Sequence, residues 1–136
     1  MKLKTLSTLK FILILSTLLI TPAALADSSS TLSAGSAHTC ALTKEGQAYC
    51  WGSGKYGQLG NGKSGDQYQE STPQLVSNLK NVISISAGEQ HTCALTKKGE
   101  VHCWGRGDHG QIGNGKTANQ STPQLVSNLK NVISIS

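Results

Sequence analysis

Four cysteines and four histidines are the residues of this sequence that could carry chemistry. The cysteines form two pairs with the same spacing, and a histidine lies two residues before each pair. These residues are Cys40 with Cys50 and Cys93 with Cys103, preceded by His38 and His91. Paired thiols can form disulfides, and thiols together with imidazoles can bind zinc. Which chemistry applies depends on the elements that hold these side chains.

Two loops match the pattern of nucleotide-binding motifs. Residues 57–64 (GQLGNGKS) and 110–117 (GQIGNGKT) fit the P-loop, and residues 52–57 (GSGKYG) and 105–110 (GRGDHG) fit the dinucleotide fingerprint. Both motifs need a helix directly after the loop, because the helix N-terminus directs N–H groups at phosphate. No apolar helical period follows here. We therefore predict turn-forming loops and no bound cofactor.

Arg106-Gly107-Asp108 spells a tripeptide that many receptors of animal cells recognise. The corresponding residues of the first repeat are Ser53-Gly54-Lys55, so the tripeptide is not a property of the repeat. We interpret it as a coincidence, and its recognition by a receptor stays open.

The chain is built from a duplicated unit. Residues 34–62 and 87–115 agree at 19 of 29 positions, and residues 71–86 and 121–136 both read STPQLVSNLKNVISIS. A period near 50 residues, made of short apolar runs and glycine turns, indicates blades that pack against one another. We divide the chain into a leader (1–26), a first blade (27–80), a second blade (81–130) and the first strand of a third repeat (131–136).

Each unit has the pattern of four antiparallel strands. In the second unit these are residues 81–86 (NVISIS), 91–96 (HTCALT), 100–104 (EVHCW) and an outer strand over 123–126 (PQLV). Lys97-Lys98-Gly99 is a three-residue hairpin loop with glycine at its left-handed position. The predicted fold class is all-β, with two four-stranded antiparallel blades of a β-propeller.

The hairpin register places Cys40 opposite Cys50 and Cys93 opposite Cys103. Both pairs fall at positions without ladder hydrogen bonds, where Cα atoms are about 4.5 Å apart, within reach of a disulfide. We predict these two disulfides. The zinc alternative is weaker, because His102 corresponds to Tyr49 in the first unit and the two repeats share no ligand set.

The N-terminal residues predict export. Lys2, Lys4 and Lys10 precede an apolar run over residues 11–20 (FILILSTLLI), and Ala24-Leu25-Ala26 offers a cleavage site. This arrangement is typical of a secretory signal helix, and its form is typical of bacteria. We expect a secreted protein, extracellular, on the cell surface or periplasmic, with no membrane contact after cleavage.

The charges exclude one class of partner. Three of the 12 basic residues lie in the leader, and the rest nearly balance seven acidic residues. They are scattered along the sequence without a basic stripe or an aromatic platform, so we expect no nucleic-acid partner.

The order of Gly-x-x-His-Thr-Cys-Ala-Leu, Cys-Trp-Gly, Gly-Gln-Leu-Gly and Pro-Gln-Leu-Val resembles the repeat of the regulator of chromosome condensation family. The resemblance implies a seven-bladed β-propeller and gives structural roles to repeated anchors. The histidines are expected to be hydrogen-bonded, and the tryptophans to pack between blades. The anchors are Gly35, His38, Trp51, Gly52 and Gly60, with Gly88, His91, Trp104, Gly105 and Gly113.

The same resemblance bears on function. The founding member is a guanine-nucleotide exchange factor for a small nuclear GTPase and binds chromatin, while other members are interaction scaffolds or exported bacterial effectors. This chain has about two repeats, and no position here matches the exchange surface. We expect a non-catalytic module that binds an unidentified protein. The alternative is an effector that exchanges nucleotide on a host small GTPase.

The last repeat stops after its first strand. We expect either a fragment of a longer propeller or head-to-tail assembly, in which residues 131–136 complete the first blade of another copy. The first blade has residues 28–33 (SSSTLS) in place of NVISIS, and so lacks a good innermost strand. Three or four copies would suit a six- or eight-bladed ring.

Overall fold

The structure, a computed structural model, describes residues 31–136. The signal helix predicted over residues 1–26 lies outside this range. None of the described residues forms a helix that could cross a bilayer. The chain forms the strands β1 (Thr31–Ala34), β2 (His38–Leu42), β3 (Ala48–Ser53), β4 (Gln69–Leu75), β5 (Val82–Ala87), β6 (His91–Thr96), β7 (Val101–Gly105) and β8 (Gln120–Leu125).

The strands form two sheets of four, in the order β1-β2-β3-β4 and β5-β6-β7-β8. Every neighbouring pair is antiparallel. This confirms two four-stranded antiparallel blades. β5 packs against β1 and β2, so the second blade lies directly on the first.

Glycines close the central hairpins as the sequence predicts. The N–H groups of Gly46 and Gly99 donate to the carbonyls of Thr43 and Thr96, three residues earlier. Both glycines have φ of 74°, in the left-handed region that side chains disfavour. The three-residue loop then fixes the register of the hairpin.

That register brings the cysteines together. Cys40 lies opposite Cys50 and Cys93 opposite Cys103, with Cα atoms 4.1 Å apart in both pairs. The Sγ atoms are at bonding distance, 2.10 Å and 2.08 Å. Each disulfide joins the two strands of a single hairpin.

The outer strands are longer than predicted. The sequence places the fourth strand over residues 123–126, beginning at its proline, whereas β8 begins at Gln120 and contains Pro123. The register shifts between Cys103 and Gly105, so the proline lies at a bulge in an edge strand. Such a site tolerates proline because its missing N–H leaves no ladder acceptor unpaired. β4 has the same arrangement.

The sequence predicts that residues 28–33 do not make a good innermost strand for the first blade, and the strand at this place, β1, is short and exposed. β1 pairs with β2 along its whole length, but it has four residues where β5 has six. Leu32 of β1 exposes 67% of its surface, whereas Ile85 of β5 exposes 7%. The difference arises because the first blade covers the face of β5 that carries Ile85, while no sheet among residues 31–136 covers the corresponding face of β1.

The core lies mainly between the blades. One buried cluster combines Leu42 and Leu59 of the first unit with Ile85, Ala94 and Trp104 of the second. A smaller cluster occupies the opposite face of the second sheet, since side chains alternate between faces along a strand. Its members are Leu95, Val101, Cys103 and Ile112, with Val126, Val132 and Ile135 packed against them.

We expect the disulfides to stabilise each hairpin through the unfolded state. A Cys40→Ala/Cys50→Ala variant should lose about 3 kcal/mol of unfolding free energy. The bond joins residues 10 apart in sequence and so lowers the conformational entropy of the unfolded chain. Urea unfolding of the oxidised protein measures this loss, and Cys93→Ala/Cys103→Ala is the matched variant in the second blade. Peptide mapping that joined Cys40 to any residue other than Cys50 would contradict the register.

Candidate functional site

Four residues form a buried hydrogen-bond network between the blades, here called the inter-blade network: His38, Gln58, Thr92 and Trp104. The Gln58 carbonyl accepts bonds from Thr92 Oγ1 and from Trp104 Nε1, both at 2.9 Å. Thr92 Oγ1 lies 2.9 Å from His38 Nε2. The first blade supplies His38 and Gln58, and the second supplies the other two, so the network holds one blade to the next.

The network fixes the protonation of His38. Thr92 Oγ1 gives its proton to the Gln58 carbonyl, so it must accept a proton from His38 Nε2. Nε2 of His38 therefore carries a proton. Burial and, as the smaller cause, the nearby His91 lower the pKa of His38 to about 4. At neutral pH the His38 ring therefore stays uncharged and has a structural role, as a hydrogen-bond donor between the blades.

Small residues make room for these side chains. A Cβ at Gly60 would lie 2.6 Å from Trp104 Nε1, and Gly60 has φ of 70°, so any other residue would clash. Gly35 and Gly88 face the rings of His38 and His91, where a Cβ would approach Cε1 to 2.6 Å. The remaining glycine anchors all have positive φ: Gly52, Gly105 and Gly113.

The same anchors have different surroundings in the two repeats. Trp104 is fully buried between the blades, whereas Trp51 is half-buried on the outer face of the first blade. His91 makes no side-chain hydrogen bond within residues 31–136, unlike His38. The repeat pattern predicts roles for the histidines and tryptophans, but the roles of Gln58 and Thr92 were not predicted. Their signal was present, because Gln111 and Thr39 occupy the same places in the other repeat.

The loops that resemble P-loops use their amides internally. In the first loop the N–H groups of Gly60 and Gly62 donate to the carbonyls of Gly57 and Ser121. The Lys63 N–H donates to Asn61 Oδ1. Among the described residues no helix follows either loop. The amides named here in the first loop already have partners, and within residues 31–136 neither loop leads into a helix N-terminus that could bind phosphate.

Arg106 and Asp108 bind each other. Arg106 Nε donates to both carboxylate oxygens of Asp108 at 2.9 Å, and Nη1 donates to Gln90 Oε1 at 2.8 Å. This pairing, with His109 as the second cause, holds the pKa of the Asp108 carboxyl well below its usual range. The two charges neutralise each other, which favours the interpretation of the tripeptide as a coincidence.

Within residues 31–136 no three residues of the metal-binding types come close enough to hold an ion. The cysteines are paired in disulfides, and His102 lies beside Glu100 at 3.9 Å. This arrangement favours disulfides over the zinc alternative.

The turns of both blades meet on one surface, here called the basic face, formed by residues 43–47, 76–81, 97–100 and 126–131. Backbone bonds join these segments in series, from Gly46 to Val82, from Asn81 to Lys97 and from Gly99 to Val132. Its exposed charges are Lys44, Lys80, Lys97, Lys98 and Lys130 with Glu45, and Glu100 is half-exposed. The folded chain thus gathers lysines that are scattered along the sequence.

The basic face carries two equivalent shallow depressions, one on each blade. The first is lined by Gly46, Leu79 and Lys80, and the second by their repeat counterparts Gly99, Leu129 and Lys130. Leu129 exposes 43% of its surface, and Leu75 and Leu125 at the rims expose about half of theirs. Exposed leucines beside lysines are suited to contact with another protein.

The sequence profile of the regulator of chromosome condensation (RCC1) repeat matches residues 45–95 and 98–136. A second profile of the same repeat matches residues 30–58 and 82–111. The chain belongs to the RCC1 repeat family. The β-propeller blades described above are the fold expected of such repeats.

Similar proteins are much longer than this chain. The human E3 ubiquitin-protein ligase HERC2 is 41% identical over 88 residues, which are 62% of this chain and 2% of the ligase. The ultraviolet-B receptor UVR8 of Arabidopsis thaliana is also 41% identical over 88 residues, 65% of this chain and 20% of the receptor. The chain therefore spans a small part of the curated relatives it matches.

Solved structures have the same fold. Prp20p of Saccharomyces cerevisiae, studied for its binding to Gsp1p and histones, superposes with a TM-score of 0.67 at 26% identity. The match covers 76% of this chain and 28% of Prp20p. Human WBSCR16 superposes with a TM-score of 0.63 at 31% identity, over 69% of this chain and 24% of its own.

The buried neutral His38 makes stability depend on pH. Its pKa is lower in the folded state than the usual 6.5, so the unfolded chain takes up the proton first as the pH falls. We expect the stability contribution to be complete above pH 6.5 and to be lost as the pH falls towards 4. The full loss is about 3 kcal/mol.

Urea unfolding at a series of pH values between 7 and 4 measures this dependence. The decrease of unfolding free energy with falling pH should be largely removed in His38→Gln. It should be retained in His102→Gln, since His102 is half-buried and lies outside the inter-blade network. An unchanged slope in His38→Gln would show that another group titrates.

Proposed function

We propose that this chain is an exported protein-interaction module without catalytic activity, and that its basic face binds an acidic surface of a partner protein. The observation that carries the proposal is the meeting of lysines and exposed leucines at the turns of both blades. Lysines attract an acidic partner over several ångströms and speed its association. Leucines at the rims supply apolar contact once the two surfaces meet.

The opposite surface has a different character. Four of its charges form ion pairs: Lys55 Nζ lies 3.1 Å from Asp66, and Arg106 binds Asp108. Charges that are already paired have less attraction for a partner. The basic face is therefore the better candidate for electrostatic recognition.

Export is supported by two independent features. The leader over residues 1–26 has the pattern of a secretory signal. All four cysteines lie at disulfide distance, and such bonds persist mainly in oxidising compartments. We accordingly place the partner outside the cytoplasm.

The relatives support a protein partner in general terms. Prp20p was studied for its binding to Gsp1p and histones, and the same yeast protein has been solved bound to Kap60. This chain spans about a quarter of that protein. We therefore transfer the class of partner, a protein, and not its identity.

A photo-crosslinking residue tests the basic face. Placed at Lys98 in the chain secreted by its host, it should join one defined protein, whereas the same residue at Lys116 on the opposite surface should not. Lys97→Glu/Lys98→Glu should weaken binding of that protein by about tenfold, mainly through slower association at low salt. Lys63→Glu/Lys116→Glu is the matched control with the same change in charge. Binding lost only in the control would contradict the proposal.

The second candidate function is nucleotide exchange on a host small GTPase, favoured by the similarity to Prp20p together with the leader. A fluorescent GDP analogue bound to a panel of small GTPases provides the measurement. Exchange activity predicts faster release with the secreted chain than with buffer. We expect no acceleration, since the chain spans only part of the relatives it matches. Acceleration that persists in Lys97→Glu/Lys98→Glu would favour this candidate over the first.

A further inference from the structure

The contact between the blades uses one side of each, and the repeat places the same residue types on the two sides that no other part of residues 31–136 covers. The outer face of the second blade presents His91 and Gln111, counterparts of His38 and Gln58. The outer face of the first blade presents Thr39 and Trp51, counterparts of Thr92 and Trp104. All four are only partly buried, whereas Gln58, Thr92 and Trp104 are at most 2% exposed.

The glycine loop of the second blade is already shaped for such a contact. In the first blade, Gly57 packs on Ser121 of the second blade, and the Gly62 N–H donates to the Ser121 carbonyl at 2.9 Å. The corresponding Gly110 and Gly115 have similar positive φ values but no neighbour within 4 Å of a Cβ position. The glycine loop of the second blade thus has the shape of the loop in the first blade, but no neighbouring blade within residues 31–136 packs on it.

The C-terminal segment, residues 131–136, starts where an innermost strand would start. The Val132 N–H donates to the Gly99 carbonyl at 3.1 Å, as Val82 at the start of β5 donates to Gly46 at the same distance. The segment has the sequence of residues 81–86, but within the described residues it pairs with no strand. Ile133 is 95% exposed.

We propose that a second copy of this chain occupies these surfaces, with its first blade packed on the second blade of the first copy. Thr39 Oγ1 of that copy accepts a hydrogen bond from His91 Nε2 and donates to the Gln111 carbonyl. Trp51 Nε1 donates to the same carbonyl. The contact repeats the inter-blade network between two molecules.

The innermost strand is then exchanged. Ser86 lies opposite Cys93 and Ser33 lies opposite Cys40, so Ser136 of one copy takes the place of Ser33 in the next. Residues 131–136 thereby replace the short and exposed β1. Ile135 gains the position of Ile85, which is 7% exposed. The two surfaces in contact differ, so the interface is head-to-tail.

This inference goes beyond the proposed function, because it concerns the two outer sheet faces and not the basic face. Its test uses the protein expressed from its full sequence in an exporting host, with mass measured by sedimentation velocity over a concentration series. The wild type should form a discrete oligomer. Trp51→Ala and Ile135→Asp, which damage opposite ends, should each be monomeric.

Mixing the Trp51→Ala and Ile135→Asp variants distinguishes head-to-tail contact from contact between like surfaces. Each variant keeps the end that the other lacks, so an equimolar mixture should form a one-to-one dimer and nothing larger. Thr39→Val, a milder change, should weaken assembly at least about tenfold without loss of folding. Leu125→Ser is the control, since its counterpart Leu75 stays half-exposed beside the packed blades.

A wild-type monomer at every concentration would overturn the inference, and so would a mixture that stays monomeric. Dimers formed by either variant alone would indicate contact between like surfaces and would also overturn it. None of these results affects crosslinking from Lys98, so failure here is distinct from failure of the proposed function.

Discussion

A single blade of this protein cannot cover its own faces, and the backbone carbonyl of Gln58 is a buried polar group that binds the neighbouring blade. This oxygen lies in the buried space between the sheets and accepts bonds from two side chains of the neighbouring blade. A buried carbonyl without donors would cost free energy comparable to a lost hydrogen bond. The neighbour supplies both donors, so the two sheets depend on each other for polar pairing as well as for apolar cover.

The dependence on a neighbour explains why identical residues behave differently. Trp51 and Trp104 occupy the same position in their hairpins, yet only Trp104 is enclosed. The strand determines which way each ring points, and the next blade determines whether water reaches it. In a repeat architecture the environment of a residue is thus set by the adjoining unit more than by its own.

Much of the fold could be predicted from local chemistry. Alternation of apolar residues located the strands, and Gly99 fixed the hairpin loop, from which the opposition of Cys93 and Cys103 followed by counting. Local pattern failed at the outer strand, because the bulge that admits Pro123 depends on pairing with β7. It also missed the role of Gln58: the repeat marks the position, since Gln111 is its counterpart, but the side-chain type does not specify that the main-chain carbonyl accepts the hydrogen bonds.

The candidate binding surface was beyond the reach of the sequence for a different reason. Lys44, Lys80, Lys97 and Lys130 are far apart along the chain and become neighbours only because every blade turns at the same edge. The nucleotide-like loops show the converse. Their residue types fit a known motif, but within residues 31–136 no helix follows either loop, and several amides of the first loop already have partners.

The placement of the disulfides has a consequence for how such a protein can change in length. Each bridge joins cysteines ten residues apart inside one hairpin, and none ties one blade to another. Duplication or loss of a whole repeat therefore leaves every remaining cysteine beside its proper mate. A gene built this way can gain or shed copies without scrambling its covalent crosslinks.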